Sequence, residues 1–269
     1  MIPSMTMMHE HCDLFFDFTS DTPRYWDRFW ENGSGLGRGS ADPDRSSPML
    51  REYHRIVWSG ELPNGQMLIL ENDPYGYLNW NGMRFGSDSI TASFRYRRCR
   101  HLLEQVEVGM DDYRGFVENY IHAFYTMGGM IIFPRHCNSI NQVRGTDRRI
   151  CDRWDLTLEC IRRYYSGEDS PISWCLEQDK EFFDLFVNFR GYVDFFCLRG
   201  CVSDDYSKVN MGLDTELFVK DPLPGTVDEY MSWIESQYRL INDRTVYMAQ
   251  RLGQALVQQA ETSQDPFHT

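Results

Sequence analysis

The feature that most narrows the fold is the recurrence of aromatic and aliphatic residues at helical spacing along most of the chain. One stretch, residues 66–85, breaks it with short apolar segments separated by turn residues. A period near 3.6 builds helices that bury one stripe, whereas short runs punctuated by Asn-Gly build hairpins. The expectation is therefore a helix-rich α+β fold with a small, mainly antiparallel sheet. Thr22-Pro23 reads as a cap and first turn for a helix carrying Tyr25, Trp26, Phe29 and Trp30, and Ser47-Pro48 repeats that signal for a helix through Trp58. Asp111 opens a helix with Phe116, Tyr120, Phe124 and Met127 on its stripe, closed by Gly128-Gly129. Asp152 is placed to cap the next, with Trp154, Leu158, Ile161 and Tyr165 as its stripe and Gly167 as its stop. A further helix is expected over 171–188. Thr226 with Glu229 forms a capping box before the longest one, which carries Tyr230, Ile234, Tyr238, Ile241, Met248 and Leu252.

Strands are expected at 66–70, 75–80, 83–85, 130–133 and 192–198, with Asn81-Gly82 as a hairpin turn and Pro134 ending the buried run Met130-Ile131-Ile132-Phe133. Residues 88–106 are mixed, with helix slightly favoured. Residues 32–48, rich in Gly, Ser, Asp and Pro, read as a long loop. One globular domain over 1–260 with a flexible tail at 261–269 is the expected organisation, since 269 residues suffice to bury roughly three quarters of the surface of the unfolded chain.

The net charge is −13. Such a surface repels nucleic acid and anionic membranes unless a local basic patch is set against it. No apolar run approaches the length of a membrane span. The start of the chain lacks the basic and apolar regions of a secretory signal, so a cytoplasmic setting with reduced thiols is expected for the eight cysteines, among which no CxxC occurs. Only three cations are lysine (Lys180, Lys208 and Lys220). Composition by itself favours a GC-rich genome as the reason. The alternative is that arginine suits bidentate contacts with carboxylate or phosphate.

Against this acidic background, residues 135–163 carry seven arginines and four acids. The stretch follows the buried strand and precedes a helix, where free backbone N–H groups and the helix dipole favour an anion. Arg135, Arg144 and Arg148 are candidates to hold phosphate. Asn138, Asn141 and Gln142 are candidates to orient the ligand. His136 is the candidate for proton transfer, because its ordinary pKa suits that work near neutrality. Equally, arginines and asparagines in such a connection often satisfy carbonyls and neighbouring acids. Arg84, Arg95, Arg97, Arg98 and Arg100 form a second basic group, which would make a cleft if it met the first. Ser87 and Asp88, in Gly86-Ser87-Asp88-Ser89, are placed to ligate a cation or a ligand, or more simply to cap a helix. Arg51, His54 and Arg55, with Glu61 and Asn64 nearby, are candidates for another wall. His9, His11 and Cys12 lack a fourth ligand at zinc spacing, so no metal site is expected. No GxGxxG, P-loop, HExxH or GxSxG motif occurs, which argues against dinucleotide enzymes, standard NTPases, zinc proteases and serine hydrolases, and the sequence identifies no cofactor.

Five stretches, IIFPRHCNSINQVRG (131–145), DRWDLTLECIRRYY (152–165), FRGYVDFFCLRGCVSDDY (189–206), LREYHRIVWSGELPNG (50–65) and RFGSDSI (84–90), resemble an uncharacterised bacterial protein family over roughly residues 18–240. The resemblance implies a bacterial, cytoplasmic, free-standing protein and carries over no catalytic residue. Two functional expectations follow from the residues. The first is an Arg/Asn/His-lined site for a phosphate-bearing ligand, a nucleotide or nucleic acid, with phosphodiester hydrolysis or nucleotide transfer as the chemistry. The second is a non-enzymatic protein-interaction module, motivated by seven Trp, fifteen Tyr and the acidic surface. A small-molecule enzyme using Asp88, Asp152, Asp155 and Glu159 is a third.

Overall fold

Most of the apolar stripes become helices in the computed structural model, which describes residues 12–31, 42–90, 99–136, 139–144, 150–213, 218 and 223–252. Helix α1 (Tyr25–Glu31) buries Tyr25 and Phe29. Residues 42–48, expected to belong to a long loop, instead start a helical corner. Asp42 caps α2 (Pro43–Ser46) by accepting from the Asp44 amide at 3.2 Å, with Pro43 in the first turn. Ser47 then caps α3 (Pro48–Trp58), its hydroxyl accepting from the Leu50 amide at 2.9 Å. Composition hid this corner, because Asp-Pro is both a loop signature and a cap followed by a first-turn proline. Residues 32–41 of the expected loop lie outside the described residues.

A short ribbon pairs β1 (Gly60–Glu61) with β2 (Met67–Leu68). The main sheet is antiparallel, in the order β3 (Glu71–Asn72), β4 (Leu78–Trp80), β5 (Met83–Ser89) and β6 (Met130–Pro134). Asn81-Gly82, both at positive φ (49° and 85°), make the hairpin between β4 and β5. Strand β6 is buried throughout, and its register runs from Phe85 opposite Pro134 to Ser89 opposite Met130. This pairing carries β5 past the expected Phe85, so Ser87 and Asp88 stand in a strand and cap no helix. Their extended conformation comes from a partner more than forty residues away in sequence, which no local pattern shows.

Helix α4 (Arg100–Gly109) follows, and α5 (Tyr113–Phe124) is capped by Asp112, one residue after the expected Asp111. Gly128 and Gly129 lie in a 3-10 turn (Met127–Gly129) that leads into β6. Beyond β6 come α6 (Ile140–Val143) and α7 (Trp154–Ser166), the latter ending at Gly167 with φ 71°. The cap position of α7 is Arg153, whereas Asp152 is drawn into an ion pair with Arg144 at 2.9 Å. The helix expected over 171–188 is split into α8 (Ser173–Gln178) and α9 (Lys180–Asp184).

The expected strand at 192–198 is helix α10 (Phe189–Phe195), capped by the Asn188 side chain on the Gly191 amide at 2.9 Å. Its residues are apolar on several faces because Phe182, Phe183, Phe186, Tyr192 and Phe196 pack around one another. A helix buried on most sides shows no stripe and reads like a buried strand. Helix α11 (Val227–Arg251) packs on α4, α5 and the 127–129 turn. Thr226 accepts from the Glu229 amide at 3.2 Å, while Glu229 reaches one residue further back, to the Gly225 amide at 2.7 Å. Among the described residues no helix is long and apolar enough to cross a membrane.

Candidate functional site

The α2–α3 corner lies over the middle of β5 and leaves a cavity of about 420 Å³ between them. Asp42, Asp44 and Arg45 come from the corner, and Arg51 and His54 from α3. Gly86, Ser87 and Asp88 of β5 line it too, as do the β3–β4 turn around Tyr75 and Tyr77, Arg135 from the end of β6, and Gln142 from α6. Six of the residues singled out in the sequence, Arg51, His54, Ser87, Asp88, Arg135 and Gln142, therefore line one cavity.

Arg135 is placed by backbone pairing and by a missing side chain. Its amide donates to the Arg84 carbonyl at 2.8 Å, which continues the sheet by one residue. Its methylenes cross Gly86, where a Cβ would stand 3.4 Å from Arg135 Cδ, and its guanidinium lies 5.9 Å from the Tyr77 ring centroid. Among the described residues no carboxylate lies within ion-pairing distance of Arg135 or of the exposed Arg45. Arg51 donates to the Gly76 carbonyl at 3.0 Å.

Deeper in, one chain of hydrogen bonds fixes the polarity of the floor. The Trp58 indole N–H donates to Nδ1 of His54 at 2.9 Å, so the neutral imidazole carries its proton on Nε2. That proton is directed at the Ser87 hydroxyl, 2.9 Å away, and the hydroxyl in turn donates to Oδ1 of Asp44 at 2.9 Å. Burial, with the Arg244 cation in second place, pushes His54 down to about 3, which keeps it neutral. His54 is thus a donor to Ser87, and it does not serve as a base for that hydroxyl.

The carboxyls are displaced the other way. Burial raises Asp42 and lifts Asp44 well above the usual carboxylate range, with Asp42 and Asp88 pushing Asp44 further in that direction. Burial also raises Asp88, to about 6, against the pull of Arg144 and with a push from Asp152. Arg144 lies beneath the floor with 2% of its side chain exposed. It reaches Asp152 at 2.9 Å, Asp88 at 3.4 Å and the Ser89 carbonyl at 3.2 Å. Its donors are committed within the protein, and it supports Asp88 from below.

His136, the sequence candidate for proton transfer, is not among the residues lining this cavity. Its Nε2 lies 2.7 Å from Oδ1 of Asp179, a carboxyl with only 4% of its side chain exposed. Asn138 and Arg148 lie outside the described residues. Asn141 belongs to α6, but its side chain is likewise outside them. The remaining described arginines of the basic stretch are used within the fold: Arg153 pairs with Asp155, and Arg162 and Arg163 both pair with Glu159 at 2.8 Å. Glu159 is buried, so its pair with Arg163 is not the solvated helix face suggested by the spacing. In the second basic group, Arg84 meets Asp73 at 2.9 Å and Arg100 meets Glu104 at 3.1 Å. Arg95, Arg97 and Arg98 are outside the described residues.

Of the suggested second wall, Arg51 and His54 line the cavity and Arg55 pairs with Glu52. Asp42, Asp44 and Arg45 are the lining residues that the sequence reading passed over, and the Asp42-Pro43 cap signal was the clue to them. Of the three residues near the start, His9 and His11 lie outside the described residues and Cys12 is buried. Among the described residues no group of three or more His, Cys, Asp or Glu side chains is arranged to hold a metal ion.

No curated protein and no solved structure matches this chain. A family model does, over residues 12–248, which include every described residue that lines the cavity. The chain belongs to that family, DUF6994, described as a family of unknown function.

Proposed function

We propose that the cavity binds a phosphate-bearing small molecule of nucleotide size and performs acid–base chemistry on it, with hydrolysis or transfer of the phosphate ester as the reaction class. The observation that carries this reading is the placement of Arg135 and Arg45, neither within ion-pairing distance of a carboxylate among the described residues, on a cavity with half-buried carboxyls. An unpaired guanidinium offers a planar fork to two phosphate oxygens. The volume, about 420 Å³, is in the range of small-molecule sites. An extended nucleic acid is a poorer fit, because the net charge of −13 repels a polyanion outside the cavity.

Three arginines and three aspartates face the cavity. Asp42, Asp44 and Asp88 all keep their protons to higher pH than exposed carboxyls do, which weakens the opposition this floor offers to an anion. Asp44, whose carboxyl burial lifts well above the usual range, is suited to donate a proton to a leaving oxygen, and Asp88, raised to about 6, is suited to exchange one. Gln142 supplies an orienting amide.

Thermal denaturation with nucleoside monophosphates, sugar phosphates, inorganic phosphate and short oligonucleotides tests the proposal. A small phosphate ester is expected to raise the melting temperature, and Arg135→Ala to abolish most of that rise while the unliganded melting temperature stays within about 2 °C of the parent. No rise with any phosphate compound, or an undiminished rise in Arg135→Ala, overturns it.

A further inference from the structure

The cavity offers two kinds of polar group. Arg135 and Arg45 bring only proton donors to it. The Ser87 hydroxyl and the Asp44 and Asp42 carboxyls bring oxygens. Ser87 has one hydroxyl proton, and it is committed to Asp44, because the opposite neighbour, His54, must itself donate. Asp44 uses Oδ1 to receive that proton, and among the described residues no donor reaches its Oδ2. Asp42 likewise accepts from the Asp44 amide through Oδ1 alone. The Asp44 and Asp42 carboxyls are half-buried, and each keeps an oxygen that meets no donor among the described residues, so this part of the cavity suits a ligand that brings O–H groups with it. The space exceeds the needs of a bare phosphate ion, since a water occupies about 30 Å³ and the cavity measures about 420 Å³.

We infer that the ligand is the phosphate ester of a polyhydroxylated compound (a sugar phosphate or a ribonucleotide), its phosphate on Arg135 and its hydroxyls on Asp44 and Asp42. This rests on the phosphate reading of the same site and specifies the part of the ligand that Arg135 does not touch. A hydroxyl suits this floor because it both donates and accepts, so it serves a carboxyl in either protonation state.

The test is a set of dissociation constants measured calorimetrically at pH 7 on the full chain. The probes are ethyl phosphate, a panel of pentose phosphates, hexose phosphates and ribonucleoside monophosphates, and the corresponding unphosphorylated sugars and nucleosides. At least one polyhydroxylated ester is expected to bind at least about tenfold more tightly than ethyl phosphate. Asp44→Asn keeps an acceptor for Ser87 and is expected to bring that ratio below about threefold. Arg135→Ala is expected to weaken both. If ethyl phosphate binds and no member of the panel exceeds it, the hydroxyl inference is overturned and the phosphate reading stands. If no phosphate compound binds, or the unphosphorylated compounds bind equally well, the phosphate reading falls and this inference falls with it. The comparison on the parent protein needs no variant, so it decides the matter even where Asp44→Asn fails to fold.

Discussion

The indole N–H of Trp58 settles which ring nitrogen of His54 is protonated, and that sets the direction of every hydrogen bond on to Asp44. The residues involved were visible in the sequence as a helical Trp and His and a Ser in a glycine-containing segment, but nothing in their spacing indicated a chain of donors. The same floor gives a pH dependence with opposed contributions. Asp88 is raised from 3.8 to about 6, so between those values the folded state holds a proton that the unfolded state has released, and stability falls as pH rises through that window. His54 is lowered from 6.5 to about 3, so there the unfolded state holds the extra proton, and stability rises with pH through nearly the same window. The two slopes partly cancel in the parent protein. Asp88→Asn removes one of them, and its stability relative to the parent is expected to increase by about 2–3 kcal/mol between pH 4 and pH 6.5. Urea melts at several pH values measure this, and a difference that stays constant with pH would show that Asp88 is not displaced.

At the scale of elements, the helices with one apolar stripe were legible because each buries a single face against the rest. Strand β5 was legible only to Phe85, because its last residues are extended by pairing with β6. Helix α10 was misread because aromatic residues cover several of its faces. The glycine pair after α5 was read as a stop, and its second role lies in packing. A Cβ on Gly128 would stand 1.9 Å from Thr245 Oγ1 and 2.3 Å from the Ile241 carbonyl of α11. That carbonyl is helix backbone and cannot move aside. Gly128→Ala is therefore expected to destabilise the protein by the upper part of about 1–3 kcal/mol or more. Gly60→Ala, with nothing within 4 Å of the added carbon, is expected to change stability by less than about 0.5 kcal/mol. Chemical denaturation of the two variants side by side checks the contrast, and equal effects would refute it.

Over the whole molecule, Arg244 joins parts of the chain that are far apart in sequence. Buried in α11, it donates to the Phe196, Met127, Gly128 and Met130 carbonyls and lies 5.6 Å from the Trp58 ring centroid. It therefore ties the C-terminal helix to the start of β6 and to the end of α10, while its charge helps hold His54 neutral. Arg244→Met keeps much of the volume but leaves several buried carbonyls without donors at about 1–3 kcal/mol each, so a loss of at least about 3 kcal/mol is expected. Arg244→Lys, which retains donors, is expected to lose less. Denaturant midpoints for the pair measure this, and equal losses would assign the effect to shape alone.

Periodicity, caps, turns and local charge are properties of neighbouring residues, so the fold class, the long C-terminal helix, the hairpin at Asn81-Gly82 and the basic stretch around Arg135 were legible before folding. Which arginines are available depends on contacts made across the folded chain. Arg144, Arg153, Arg162 and Arg163 meet carboxylates brought to them by the packing of the chain, whereas Arg135 crosses Gly86 and reaches a cavity. Folding also brought Asp42 and Asp44 from the α2–α3 corner against Ser87 and Asp88 in β5, over forty residues away. Charge in a sequence is counted residue by residue, but its value in a site depends on burial and on which partners lie within a few ångströms, and only the folded chain sets those.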